Sequence, residues 1–383
     1  MLDRAARGAY HGIVKAAVLE EFNSPLVIRE FKHPKLEPGQ MLVRMLASGV
    51  CGSDIHMWHG QDPRTPLPTI LGHEGVGEVV EINSSNGPLV SVNGREIRPG
   101  DRIIWDRGVT CGRCYFCAVR HEPNLCPNRW VYGINRSSAD PPHLVGCYAD
   151  HIILFPNTNI LHLDEFPGPS YALLASASCS GATAANAIEA AAIQPGDTVL
   201  VQGSGPLGLF LTAFARRVGA GRVIVIGGSP ESLILAVKLG ADFTISHRTT
   251  NAYDRVQTVR QMIGDRSPHG VDVVLESAGN PESINEGIVL LRTGGSYITA
   301  GFAIPGTTVS MDCYYEIVRK NLRLQGVWVS HTKHLRDAIS LICSNPAPFE
   351  VMVTHRFGLE QATEALETMQ TRKAVKSTIV FED

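Results

Sequence analysis

The sequence contains no apolar run of membrane-spanning length. Its apolar stretches, such as "VIVI" at 223–226 and "DVVL" at 272–275, are strand-sized and well short of the ~20 residues a bilayer crossing takes. No membrane partner is therefore expected. Charge of one sign is not in excess either. The 34 Lys and Arg stand against 37 Asp and Glu, giving a net charge of −3 and a pI near 6.5. That balance offers no reason to expect nucleic acid or an anionic bilayer. The N-terminal "MLDRAARGAYHG" lacks the apolar core of a secretory leader. There is no internal repeat and no low-complexity linker. With 44% hydrophobic and 19% charged residues, the chain can bury a sizeable core. The nine cysteines are odd in number in a large chain without a leader, which argues against a disulfide framework. A reducing, cytoplasmic compartment is expected, where clustered thiols more often bind metal.

A length of 383 residues suggests about two domains. Residues 14–180 are rich in Gly, Pro and short β-like runs ("LVRMLASGV", "GVGEVVEI", "RIIWDRGV", "YADHIILF"), which predicts an antiparallel, barrel-like β domain. The character changes near Cys179. "ATAANAIEAAA" (182–192) reads as helix, and strands then alternate with helices of ten or more residues: "TVLVQG", "GPLGLFLTAFARRVGA", "RVIVIGG", "PESLILAVKLGA", "FTISH", and on to "RLQGVWV". Such alternation predicts a parallel, doubly wound α/β sheet. The expected division is 1–180 with 329–383 for the first domain and 181–328 for the second.

Within "TVLVQGSGPLGL", Gly203, Gly205 and Gly208 follow a strand and open a helix that starts with Pro206 and Leu207. The first glycine permits the tight turn, the second lets backbone approach a pyrophosphate, and the third lets helix pack on strand. Free N–H groups at the helix start then face the phosphates. The next strand ends in Gly227-Gly228-Ser229, where a ribose-binding carboxylate would ordinarily stand; Glu231 comes later. The missing charge inclines the reading to NADP over NAD. Gly228 and Ser229 would lie at the 2′-phosphate, with positive charge from His247 and Arg248. A loose turn that takes either cofactor is the plainer alternative.

Cys111, Cys114, Cys117 and Cys126 put four thiols into sixteen residues. Four such thiols fit an all-cysteine metal site better than a redox Cys-x-x-Cys. Cys51, His73 and Cys179 would make a set of two thiolates and one imidazole with one position open, as a catalytic zinc has. Taken singly, each is more often a buried small hydrophobe or a structural histidine.

"GVCGSDIH", "GHEGVGEVVEI", "CSGATA" and "GPLGLF" together resemble the zinc-dependent medium-chain alcohol dehydrogenases, on the side of the family that includes threonine and polyol dehydrogenases. The resemblance runs from about Lys15 to Val380. It implies a GroES-like β-barrel catalytic domain, a Rossmann dinucleotide domain, and two zinc ions per chain. Cys51, His73 and Cys179 are implied as catalytic zinc ligands. Glu74 is implied as the neighbouring carboxylate, acting beside the zinc or ligating it directly. Ser53 is implied as the hydroxyl that touches the substrate oxygen, His56 as the proton relay, Asp54 as the carboxylate behind the ligand histidine, and Thr183 as a nicotinamide-side contact. Cys111, Cys114, Cys117 and Cys126 are implied as structural zinc ligands in a lobe over about 108–130. Two departures stand out. Many threonine and polyol members lack a cysteine at the position of Cys179. The gap before Cys126 holds eight residues where seven are usual, which puts Leu125 at the strict ligand count unless Pro123 absorbs the extra residue. The resemblance also implies a homodimer or homotetramer acting on a small alcohol or carbonyl compound. A biosynthetic reductase with a specialised substrate and a non-catalytic NADPH-binding relative remain the competing readings. Arg129 and Arg136 are candidate contacts for an anionic substrate, with solvated surface arginines as the commoner case. Trp58 and Trp130 are candidates for pocket walls or core.

Overall fold

The computed structural model describes residues 12–264 and 270–381. The N-terminal stretch read above for a leader lies outside them, apart from its last residue. By internal contacts the chain divides into two units, Met1–Cys179 with Val353–Asp383, and Ser180–Met352.

The first unit is built on mostly antiparallel sheets. A path of six strands runs Ile160–His162, Arg102–Trp105, Glu74–Ile82, Met41–Gly49, Lys376–Val380, Val353–Phe357, and His151–Leu154 also pairs with Met41–Gly49. Its one parallel pairing joins Val353–Phe357 to Lys376–Val380. Met41–Gly49 is buried at nearly every position. Met41, Val43 and Met45 enter one apolar cluster with Trp105 and Tyr132, while Leu42 enters another with Val50 and Ile153. The period-2 alternation of a strand thus feeds two cores at once. Each large side chain buried there contributes roughly 1.5–3 kcal/mol. A smaller antiparallel sheet joins Val27–Lys32, Ile13–Leu19 and Thr69–Ile70.

The second unit is a six-stranded parallel sheet in the order Phe243–Ser246, Arg222–Gly227, Thr198–Gln202, Val271–Glu276, Leu291–Thr299, Arg323–Gly326. Its central strands are buried along their length, which is why they read as continuous apolar runs and not as alternating ones. The helix Pro206–Arg217 begins on a proline and ends on Arg216 and Arg217, both favourable to its dipole.

The boundary at Cys179 falls beside the expected one, but the return to the first unit comes at Val353, later than the expected residue 329. Side chains explain the delay. Helix Thr332–Ser344 packs on helix Ala182–Ala191. Glu189 takes Lys333 Nζ at 2.6 Å and lies 3.1 Å from His334 Nε2, and Asn186 donates to the carbonyl of Val329 at 2.9 Å. Val353 opens the strand that pairs with the C-terminal one. Among the described residues, no helix is long and apolar enough to cross a membrane.

Candidate active site

Cys51, His73, Glu74 and Cys179 offer donor atoms that all lie within 4.8 Å of one another. Cys51 Sγ stands 3.7 Å from Cys179 Sγ, and His73 Nε2 stands 3.3 Å from Cys179 Sγ. Zinc–sulfur bonds of about 2.3 Å at a tetrahedral angle put two thiolates about 3.8 Å apart, so the spacing suits zinc. Cys51 precedes the short helix Gly52–Trp58, and Asp54 in its first turn anchors it by accepting from Cys51 N at 2.8 Å. Asp54 is fully buried, and its other oxygen lies 3.1 Å from His73 Nδ1. This fixes the ring so that Nε2 faces the sulfurs. Burial opposes charge on His73, but Asp54 and Cys51 outweigh it and lift the imidazole to about 10. The hydrogen bond from Cys179 drives Cys51 well below its ordinary value, with His73 helping, and Cys179 goes up correspondingly. A bound divalent cation would deprotonate both thiols.

Glu74 opens the strand Glu74–Ile82 and is 0% exposed. Its Oε2 stands 2.5 Å from Lys376 Nζ, on a lysine that is itself 1% exposed. Burial works against the Lys376 ammonium, but Glu74 and the thiols nearby push it up on balance, which marks an ion pair. Glu74 Oε1 has no hydrogen-bond partner. Gly49 makes room for the pair: a Cβ there would meet Glu74 Oε2 at 2.0 Å and Lys376 Cε at 3.1 Å. Neither Lys376 nor Gly49 figured in the sequence reading. The available signal was a lysine inside the otherwise strand-like "AVKSTIVF".

Ser53 and His56 stand three residues apart on helix Gly52–Trp58, both half-buried, which places them on one side of it. His56 Nδ1 lies 2.7 Å from Gln61 Oε1. Trp58 is core, its Nε1 donating to the carbonyl of Ser24 at 2.6 Å. Arg136 is stacked over Trp130 and Phe155 at 4.1 and 5.1 Å.

Cys111, Cys114, Cys117 and Cys126 also converge. Cys114 and Cys117 sulfurs are 3.5 Å apart, as are those of Cys126 and Cys111. The lobe is closed by the short pairing of Gly108–Val109 with Trp130–Val131. Backbone N–H groups, Arg113 first and then Cys114, hold the Cys111 thiol down to about 6, which suits a thiolate ligand. Pro123 starts a single helical turn, Pro123–Leu125, that takes up the extra residue. Leu125 is exposed and Cys126 is buried, so the sulfur and not the strict count sets the fourth ligand.

In the second unit, Gly203 has φ +110° and a Cβ there would strike Ser277 Oγ at 2.6 Å; a Cβ on Gly208 would fall 2.0 Å from the Gly203 carbonyl oxygen. Nothing lies within 4 Å of where a Cβ on Gly205 would be. An open Cβ-less face ahead of the helix that starts at Pro206 and Leu207 fits a pyrophosphate. Gly228 lies against His247, whose Nε2 would be 2.6 Å from its Cβ, and near Arg248, whose Nε would be 3.5 Å away. The structure thus brings Gly228, Ser229, His247 and Arg248 together. The Ser229 hydroxyl caps helix Pro230–Lys238 by accepting from Ser232 N and donates to Glu231 at 3.0 Å. Glu231 is therefore closer to the turn than its place in the sequence suggested. Thr183 sits half-buried in the first turn of helix Ala182–Ala191.

Comparison with known proteins agrees with this geometry. Residues 37–165 match the family described as alcohol dehydrogenase GroES-like domain, and residues 206–344 match that described as zinc-binding dehydrogenase. A 5-exo-hydroxycamphor dehydrogenase of Pseudomonas putida is 31% identical over 95% of this chain and 98% of its own. An L-threonine 3-dehydrogenase of Pyrococcus furiosus is 31% identical over 94% and 95%. The crystal structure of an alcohol dehydrogenase from Thermotoga maritima superposes with a TM-score of 0.90 at 46% identity, over 97% of this chain and 100% of that one. A zinc-binding dehydrogenase from Sinorhizobium meliloti, solved with NADP, gives 0.82 at 28% identity, over 97% and 100%. Two folded units with these sites and these relatives lead to one conclusion: the chain belongs to the zinc-dependent medium-chain alcohol dehydrogenase family.

Proposed function

We propose that the protein interconverts a small alcohol and its aldehyde or ketone, with NADP as the preferred hydride carrier. The observation that carries the reaction class is the convergence of Cys51, His73 and Cys179 beside a Glu74 held by Lys376. Cys51, His73 and Cys179 would hold the catalytic zinc, which supplies Lewis-acid stabilisation of negative charge on the alcohol oxygen. A bound nicotinamide would supply the acceptor for the hydride from the carbon that bears that oxygen.

The chain's own groups handle the proton. Ser53 accepts it from the alcohol hydroxyl, and His56, oriented by Gln61, passes it to solvent. Asp54 keeps the His73 ring in register by holding Nδ1. Glu74 stays beside the ligand set through its ion pair with Lys376. Cys111, Cys114, Cys117 and Cys126 would hold a second zinc, and because four thiolates would leave no position for substrate, that site would stabilise the lobe. Gly203, Gly205 and Gly208 with the helix start at Pro206 and Leu207 would take the pyrophosphate, and Thr183 would contribute on the nicotinamide side.

The preference for NADP rests on Arg248 and His247 beside Gly228 and on the NADP found in the Sinorhizobium meliloti relative. Glu231 beside Ser229 supports the opposite preference, by accepting from a ribose hydroxyl. The thiol-rich sites suit a reducing, cytoplasmic setting, and a homodimer or homotetramer is the expected assembly, to be read by light scattering. The test of function is reduced-nicotinamide absorbance with NAD⁺ and NADP⁺ side by side, over simple alcohols, diols, sugar alcohols, threonine and alcohols bearing a phosphonate. Turnover establishes the reaction and the ratio of cofactors decides the preference. Silence in protein that holds both zincs, in this direction and with the matching carbonyl compounds and NADPH, would overturn the proposal.

A further inference from the structure

A buried arginine of the second unit, Arg255, has its donors engaged. It places Nε and Nη2 on Glu286 at 2.7 and 3.2 Å and Nη1 on the carbonyl of Thr250 at 2.7 Å. Arg129 is different. Its guanidinium lies against Gly108, where a Cβ would fall 2.3 Å from Nη2, and that Nη2 is buried with no hydrogen-bond partner. Close by, Arg107 is 4% exposed and donates from Nη1 to the carbonyl of Ser178 at 3.0 Å, one residue before the metal-site Cys179. Asp106, the carboxylate beside both arginines, already accepts from Gly108 N at 3.0 Å. Asp62 is taken by the fork of Arg64, at 2.9 and 2.5 Å. A cation buried with an unused donor is costly unless an anion arrives to meet it.

We infer that Arg129, with Arg107, forms an anion subsite next to the catalytic metal set, and that the alcohol this protein takes carries an anionic group. The planar fork of arginine suits a carboxylate, phosphate or phosphonate. The inference rests on the proposed dehydrogenase reading and narrows its substrate to one chemical class. The structure makes the division of labour plain: Arg136, stacked on Trp130 and Phe155, serves the core, while Arg129 keeps a donor in reserve.

The test uses the zinc-loaded protein. Methylphosphonate and acetate are titrated into it by calorimetry. Separately, kcat/KM is measured for 2-hydroxyethylphosphonate and glycolate against ethylene glycol as the neutral match. The expected result is binding of at least one anion, weakened roughly 10- to 100-fold in Arg129→Met, the loss typical of one charge-assisted pair, and partly restored in Arg129→Lys. The anionic-to-neutral ratio of kcat/KM should fall in step, mainly through KM. The stronger of the two anions names the group. Zinc content and melting point are read for each variant. If Arg129→Met does not fold, the wild-type titration and the Lys variant decide. Two results overturn the subsite: neither anion binds the wild type, or both bind Arg129→Met equally well. Turnover of neutral alcohol alongside either result would leave the dehydrogenase reading standing. Arg129-dependent binding without any turnover would do the reverse.

Discussion

Replacing Lys376 by Met should destabilise the first unit sharply. Glu74 would keep its carboxylate at 0% exposure and lose the ammonium 2.5 Å away, with Oε1 already lacking a partner. Methionine fills much of the lysine's volume, so the loss is chiefly electrostatic. Breaking a buried pair by removing one partner costs about 3–5 kcal/mol, because the remaining charge stays uncompensated. For a unit of this size, that corresponds to a fall in Tm of about 6–20 °C. The double change Lys376→Met with Glu74→Gln removes both charges and should recover at least half of the loss, since the damage lies in the orphaned charge and not in the missing contact. Scanning calorimetry on zinc-loaded protein, with the metal quantified in each sample, reads both. A Lys376→Met protein that melts within a degree of the parent, with its zinc in place, would refute the reasoning. So would a double variant as unstable as the single one.

Four further outcomes are expected. Cys51→Ser should abolish turnover and bring the zinc content from two per chain towards one; full activity in that variant would sink the ligand assignment. Cys114→Ser should lower Tm by more than about 5 °C through loss of the lobe's metal, and the assignment fails if metal and melting are both retained. Arg248→Ala should reduce kcat/KM with NADP⁺ more than with NAD⁺, by roughly tenfold for one lost charge-assisted contact; equal losses would point to Glu231 and a ribose hydroxyl. His334 carries a pH signature in the second unit. Burial first, and then the neighbouring His331, depress it to about 4, against the pull of Glu189. Its folded value lies below the ordinary 6.5, so the stability it contributes is present in full above about 6.5 and is lost as pH falls towards 4. The loss amounts to about 3 kcal/mol at most. His334→Asn should flatten that part of the stability curve, and an unchanged slope by chemical denaturation would count against it.

Much of this was legible in the chain itself, for physical reasons. The four lobe cysteines announce themselves because four thiols in sixteen residues have few other uses, whereas Cys51, His73 and Cys179, scattered along the chain, could be named only through the family resemblance of the segments that carry them. The parallel sheet was readable because strands buried on both faces are apolar throughout and alternate with long helices. What stayed hidden depends on register between distant segments. Lys376 meets Glu74 because the C-terminal strand pairs beside Met41–Gly49, on whose other side lies Glu74–Ile82. No local pattern encodes that neighbourhood. The late return at Val353 was hidden likewise, since it turns on Glu189 and Asn186 reaching partners about 140 residues away. Leu125 against Cys126 was a matter of one residue, settled by a helical turn too short to show as periodicity.

The interleaving of the two units has a consequence for synthesis. Residues 180–352 form one uninterrupted segment, whereas the metal-bearing unit needs Val353–Phe357 and Lys376–Val380 to finish its main sheet. Chains emerge from the ribosome N-terminus first, and domains generally fold as units. The dinucleotide unit can therefore complete itself during translation while the older N-terminal segment waits, with Glu74 lacking its lysine and the edge of Met41–Gly49 lacking a neighbour. Truncation before Lys376, or a stall before Lys376–Val380 has emerged, would leave that unpaired edge exposed to another chain, so the nascent protein is most open to aggregation until that strand arrives.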